Sequence, residues 1–174
     1  HLYKPLIHIK DSELKVIPVA LNEGEKKFVL DLKDYYGANQ GSFNDRELYL
    51  LRNLGRGHGV GFFQAHNFYP DFILWLVEGK KQRITFIDPH GMRMAQGGFN
   101  DPKVQFFQEI KTLEKQIGDT DVKLASFIIS VTPFEQIGLW DKKLTQKDFE
   151  DHHIVFQNDK SLYVSKIIKN ALKE

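Results

Sequence analysis

Two apolar runs joined by a short polar turn constrain the fold of this chain more than any other feature. The runs cover residues 70–77 and 83–90, and residues 78–82 separate them. Apolar runs of this length, bounded by turn residues, are typical of buried strands. We therefore predict an antiparallel hairpin centred on Gly79 and Lys80. Because both faces of each run are largely apolar, we expect central strands that are covered on each side.

This hairpin would bring two carboxylates face to face. In the register centred on the turn, Asp71 lies directly opposite Asp88. Like charges at such positions destabilise a sheet, and two charges about 4 Å apart repel by about 4 kcal/mol at an effective dielectric of about 20. Either one acid is protonated or a cation lies between them, and Mg²⁺ suits two carboxylates. A one-residue slip would instead leave two strand-end aspartates that face apart.

Length and composition narrow the class of protein. A chain of 174 residues is about the size of one domain. The absence of cysteine excludes disulfides, thiolate nucleophiles and cysteine-based zinc sites. A net charge of +1 gives no overall attraction to polyanions, so any contact with nucleic acid must come from a local basic groove. No signal peptide or membrane-spanning run is apparent, and we expect a soluble cytoplasmic protein.

The rest of the chain predicts alternating helices and strands. The first residues, from His1, resemble a strand entered midway and include no initiator methionine, which suggests a piece of a longer polypeptide. The pattern predicts helices at 22–36, 101–117, 142–151 and around 164–172, and strands at 47–52, 60–64, 122–131 and 154–157. Residues 47–52 are also compatible with a helix. We expect one domain over residues 1–174, without repeats.

This order of elements, with an acidic residue in the first helix, resembles the PD-(D/E)XK nuclease superfamily. Pro70-Asp71 is followed after sixteen residues by Asp88-Pro89-His90. More closely, the stretches 67–75 and 86–91 resemble the C-terminal nuclease region of type III restriction endonuclease subunits and related DEAD/DEAH-box restriction helicases. The similarity spans roughly residues 21–91. It implies an α/β fold with a restriction-endonuclease-like αβββαβ core, in which helices flank a mixed central sheet.

The resemblance also implies a site. Asp71 and Asp88 match the two metal ligands of the family, for Mg²⁺ or Mn²⁺, and Glu25 is the candidate for the helical acid. His90 occupies the position of the family's lysine, from which it would orient or deprotonate the attacking water. The implied reaction is metal-assisted hydrolysis of DNA phosphodiesters. The implied partners are DNA and a helicase or ATPase domain in the same or another chain.

Several of these residues have plainer interpretations. Glu25 lies three residues after Asn22, the spacing of a capping box, and Glu47 is then the alternative acid. His90 could be a turn residue before Gly91. His58 lies within the glycine-rich stretch 55–61 and His66 follows it. We interpret the stretch as a strand turn because it lacks the lysine and helix of a P-loop. Candidate phosphate contacts are scattered basic residues, namely Arg52, Arg56, Lys80, Lys81, Arg83 and Arg93.

Two other functions are compatible with the same residues. A catalytically silent module of this fold could bind DNA or a protein partner, because His90 replaces the lysine. A metal-dependent hydrolase of nucleotides or other phosphoesters could also use the two aspartates.

Overall fold

A computed structural model describes residues 20–54, 59–62, 68–92, 97–137, 143–159 and 162–173. The α-helices are α1 (Glu23–Ala38), α2 (Pro102–Ile117), α3 (Gln146–Asp151) and α4 (Leu162–Ala171). The strands are β1 (Glu47–Arg52), β2 (Phe72–Glu78), β3 (Lys81–His90), β4 (Val122–Ser130) and β5 (Ile154–Phe156). The chain is therefore α/β, as the sequence predicts.

The five strands form one mixed sheet in the order β1-β2-β3-β4-β5. The pairs β1–β2 and β2–β3 are antiparallel, whereas β3–β4 and β4–β5 are parallel. Parallel neighbours need a crossover, and α2 supplies it between β3 and β4. Helices flank the sheet on both faces, which confirms a mixed central sheet flanked by helices.

The β2–β3 hairpin has the predicted register. Phe72 pairs with Ile87, and Glu78 pairs with Lys81 across the two-residue turn. Gly79 has a φ of 58°, a conformation that glycine adopts without steric cost. The position of Gly79 in the sequence thus fixes the turn, and the turn fixes the register of the hairpin.

The two faces of the sheet bury different apolar clusters. On one face, α1 and α4 pack against alternate residues of β2 and β3, such as Phe72 and Ile87. On the other face, Ile110 of α2 packs against Ile73 and Phe86. This alternation is the period-2 pattern of strands buried on both faces. A third cluster joins α3 to the end of the sheet through Phe149 and Ile154.

The helices begin and end where local chemistry directs. The Asn22 side chain accepts a hydrogen bond from the Glu25 amide, while the Glu25 carboxylate accepts one from the Asn22 amide, so α1 begins with a capping box. Asp101 caps α2, Pro102 occupies its first turn, and Gly118 ends it at a φ of 68°. The predicted start of α2 is confirmed.

Some sequence predictions need correction. The helix expected at 142–151 is shorter than predicted, because α3 begins at Gln146. Of the strand expected at 60–64, the described part forms an isolated bridge between Phe62 and Phe68. Strand β2 is not covered on both faces throughout, because Trp75 is 40% exposed on the face that α2 leaves open. The strand expected near His1 lies outside the described residues, and none of the described helices is long and apolar enough to span a bilayer.

Candidate active site

Asp71 and Asp88 meet where β2 begins and β3 ends. Asp71 directly precedes β2, and the hairpin register continued by one step places it opposite Asp88. Asp88 is 4% exposed, and Asp71 is partly buried. The carboxyl groups are close enough to share a hydrogen bond. The structure therefore brings together the two residues on which the sequence interpretation depends.

The proximity of the carboxylates changes the acidity of Asp71. Burial, the charges of Asp88 and Glu25, and the hydrogen bond with Asp88 together raise the pKa of Asp71 to about 8, although the charge of Lys103 lowers it. An acid with this pKa holds its proton at neutral pH unless a cation displaces it. Of the two alternatives predicted from the sequence, a protonated acid or a bound cation, the pKa of Asp71 favours the protonated acid.

Lys103 provides a cation beside the pair, and the sequence interpretation did not include it. Its Nζ lies 3.3 Å from Asp88 Oδ2 and 5.5 Å from the centre of the Phe68 ring. The Lys103 side chain is 42% exposed. Its ammonium group can therefore contact a ligand as well as Asp88. Its backbone amide donates to the Asp101 cap. The cap thereby fixes the turn of α2 from which Lys103 extends.

The topology could have revealed Lys103. A helix that connects two parallel strands begins near the carboxyl end of the first strand. Asp88 lies near the end of β3, and the Asp101-Pro102 signal marks the start of α2. A lysine in the first turn of such a helix is therefore expected near Asp88.

Asn53 is a second residue that the sequence interpretation missed. Its backbone amide donates to the Asp71 carbonyl at 2.8 Å, and its side chain donates to the Pro70 carbonyl at 2.8 Å. The same side-chain amide also bonds Val60 through its nitrogen and its oxygen. Asn53 therefore fixes the backbone that presents Asp71 to Asp88. Asparagine after a strand suggests a turn, and nothing in the sequence indicates this partner.

Glu25 serves the start of α1. It is 7% exposed, and its carboxylate accepts a hydrogen bond from the Asn22 amide. The same oxygen, Oε2, lies 3.5 Å from a guanidinium nitrogen of Arg52. The charge of Glu25 nevertheless reaches Asp71, whose pKa it raises. The capping-box interpretation of Glu25 is confirmed. Glu25 and Arg52 thus form a partly buried ion pair at the border of the site.

His90 ends β3 and is exposed. It lies two residues beyond Asp88, about 7 Å along the strand, and so on the same side of the strand by alternation. Its backbone carbonyl accepts a hydrogen bond from Val131. The imidazole is thus an exposed group at the outer edge of the carboxylate pair.

The other predicted residues lie elsewhere. Glu47 pairs with Val77, at the far end of β1 from Asp71. Lys80 and Lys81 stand at the tip of the hairpin, and Arg83 is near the start of β3. All four residues are therefore at least five residues along a strand from the carboxylate pair. The remaining candidates Arg56, Arg93, His58 and His66 lie outside the described residues.

The donor set determines which metal could bind. Among the described residues, no group of three or more histidine, aspartate or glutamate side chains could hold an ion. Mg²⁺ needs fewer protein ligands, since it retains waters and is commonly held by one or two carboxylates together with substrate phosphate. The two carboxylates of Asp71 and Asp88 fit that pattern, whereas a structural zinc site would need four ligands.

Comparisons with protein-family models, with curated proteins and with solved structures give no match for this chain. The case for a function rests on the residues of the site.

Proposed function

We propose that this domain hydrolyses phosphodiester bonds of DNA with Mg²⁺ or Mn²⁺, as the endonuclease part of a restriction or helicase-coupled system. The observation that supports this most is the pairing of Asp71 with Asp88 beside Lys103. Two acids that repel one another bind a divalent ion more readily than either acid alone. The adjacent ammonium group suits the anionic substrate.

The residues of the chain divide the work. Asp71 and Asp88 hold the ion, which supplies an activated water and positive charge against the phosphate when it is bound. Lys103 neutralises charge on the phosphate that enters beside Asp88, which is the role that the family assigns to lysine at the position of His90. His90 remains a candidate to orient the water or accept its proton. Asn53 is a positioning residue, because it acts through the backbone of Asp71.

The geometry revises the roles expected for the two weaker candidates. The Glu25 carboxylate already accepts from the Asn22 amide and contacts Arg52, so Glu25 contributes negative charge near the site rather than a free ligand. His90 is exposed, and its distance from Asp88 along the strand suits contact with solvent and substrate. We therefore expect Lys103→Ala to reduce cleavage more than His90→Ala does.

Nicking of supercoiled plasmid DNA tests this function. The full chain should convert plasmid to the open circular form with Mg²⁺ or Mn²⁺, and a chelator should stop the reaction. Asp88→Asn should abolish nicking because it removes a metal ligand while preserving side-chain shape. Asp34→Asn, at an exposed position of α1, is the matched control and should cleave normally. Absence of nicking with both metals, or undiminished nicking by Asp88→Asn, contradicts the proposal.

One observation favours a second candidate, a catalytically silent module that binds DNA. The pair is already neutralised by the proton of Asp71 and by Lys103, so the fold does not require a metal. This candidate predicts DNA binding in the presence of a chelator that Asp88→Asn leaves unchanged. The nuclease hypothesis instead predicts that the chain binds Mn²⁺ and that Asp88→Asn abolishes this binding.

A further inference from the structure

A basic cleft lies at the free edge of β4, away from the carboxylate pair. Strand β5 pairs only with Ile128–Ser130, so the earlier residues of β4 have no strand partner on that side among the described residues. A cavity of about 210 Å³ opens there between α2 and the end of α4. Its wall includes Arg83 on β3, which lies five residues before Asp88, a distance of about 17 Å along the strand.

Four different elements bring cations to this cleft. Arg83 comes from β3, Lys111 from α2, Lys123 from β4, and Lys173 from the chain just after α4. Such convergence is uncommon for solvated lysines, which normally point away from one another to reduce repulsion. The net charge of the whole chain is only +1. The cleft therefore concentrates positive charge that the rest of the surface balances.

One carboxylate offsets part of this charge. Glu114 contacts Lys111 at 2.9 Å and Lys123 at 3.6 Å. Partial burial would raise the pKa of Glu114, but hydrogen bonds from the Leu124 amide and Lys111, with the nearby lysine charges, lower it. Glu114 is thus ionised at neutral pH. No acidic side chain among the described residues forms an ion pair with Arg83 or Lys173, and the cleft retains a surplus of about three positive charges.

A neighbouring histidine, His153, is affected by the positive charges of the cleft. Burial lowers the pKa of His153, and the charges of Lys111 and Lys173 lower it further, although a hydrogen bond to the Ser126 carbonyl opposes them. The imidazole is therefore neutral at pH 7. It forms one wall of the cleft and does not add charge to it.

We propose that this cleft binds phosphate groups. A surplus of several positive charges matches a polyvalent anion, and phosphate oxygens accept charge-assisted hydrogen bonds from lysine and arginine. A cavity of this volume admits a diphosphate. The phosphate comes either from a free phosphorylated compound or from the backbone of a nucleic acid. The proposal does not depend on the carboxylate pair, so Asp88→Asn should leave binding intact.

Titration with inorganic diphosphate is the first arm of the test. Backbone amide signals of Leu124 and Ala125 in nitrogen-15 spectra should shift at millimolar diphosphate, and the melting temperature should rise. The double variant Lys123→Gln/Lys173→Gln should weaken binding about tenfold or more. Its matched control is Lys115→Gln/Lys169→Gln, which removes the same charge from exposed positions of α2 and α4 outside the cleft.

A DNA duplex forms the second arm and distinguishes the source of the phosphate. If backbone phosphates occupy the cleft, the cleft variant should reduce the dependence of log affinity on log salt by about two relative to the control. If the cleft variant weakens diphosphate binding but leaves the salt dependence of DNA binding unchanged, the natural ligand of the cleft is a free phosphorylated compound. Both double variants retain Lys111, which donates to the Leu124 carbonyl of β4, and Glu114, which accepts from the Leu124 amide. The proposal is overturned if the cleft and control variants behave alike with both ligands, or if diphosphate shifts amides elsewhere but not those of β4.

Discussion

The Asp71 carboxyl group couples the stability of this protein to pH. The pKa of Asp71 is about 8 in the folded chain, whereas the pKa of an ordinary aspartate, which represents the unfolded chain, is 3.8. The folded protein therefore binds more protons than the unfolded chain between these values, and the stabilisation is lost as pH rises through the folded pKa. Without metal, the free energy of unfolding should fall by up to about 1.4 kcal/mol per pH unit across this window.

Urea denaturation of the wild type and of Asp71→Asn, with a chelator and between about pH 5 and pH 8, measures this effect. Other groups titrate in the same range, so the difference between the two proteins is the informative quantity. Asp71→Asn should flatten the dependence, because the amide carries no charge at any pH. Equal slopes for both proteins would refute the coupling.

Lys103 should act on the same carboxyl group in the opposite direction. Its charge lowers the pKa of Asp71, so Lys103→Gln should raise that pKa further. Carbon-13 NMR titration of the Asp71 carboxyl group reports this change directly. We also expect cleavage to fall about a hundredfold, the usual cost of losing one group that stabilises developing charge. Lys115→Gln, on the same helix and exposed, should change neither quantity; a shift of similar size there would argue against a local role.

The sequence identified the residues of the pair but not their surroundings. Asp71 and Asp88 were predictable because hairpin register follows from two apolar runs and one glycine. The role of Glu25 was left open, since an acid three residues after Asn22 fits a capping box and also fits the helical acid implied by the family resemblance. Asn53 was missed because its contacts cross between separate elements, and local patterns carry no information about such contacts. Lys103 was missed because its position follows only once β3 and β4 are known to be parallel neighbours joined by α2.

Among the elements, the start of α2 links helix stability to the site. The Asp101 side chain accepts a hydrogen bond from the Lys103 amide, so Asp101→Ala should cost about 1 kcal/mol of stability. It should also lower cleavage, because the first turn that carries Lys103 loses its anchor. Thermal unfolding and plasmid nicking measure the two effects separately.

Thr145→Ala provides the control for this variant. It removes the hydrogen bond between the Thr145 hydroxyl and Asp148 at the start of α3, and it touches neither carboxylate of the pair. A comparable loss of stability with normal cleavage is expected. If both variants lower cleavage equally, general destabilisation explains the loss and the anchoring role of Asp101 is wrong.

Helices and strands with strong local signals were predictable, and those that depend on tertiary contacts were less so. The caps of α1 and α2 lie where Asn22 and Asp101 indicated, because capping needs only neighbours in sequence. The exposure of Trp75 was not predicted. An apolar strand residue looks alike whether a helix covers it or not, and only the placement of α2 over β3 and β4 leaves Trp75 open.

At the scale of the whole molecule, a net charge of +1 conceals an uneven distribution. Two acids converge at the carboxyl end of β3, and four cations converge near its start. Composition alone indicated no overall attraction to polyanions and left only a local basic groove for such contacts, and the fold assembles a local cluster of cations. The two sites occupy opposite halves of one strand, so substitutions in one should leave ligand binding at the other unchanged.

Calorimetric titration with Mn²⁺ at pH 7 tests the central claim that Asp71 and Asp88 form a divalent-metal site. Because Asp71 holds its proton at this pH, binding should release about one proton per ion, and the observed heat should depend on the ionisation enthalpy of the buffer. Asp71→Asn should abolish both the binding and the proton release. Equal Mn²⁺ affinity in the wild type and Asp71→Asn, or no binding by the wild type, would contradict the claim.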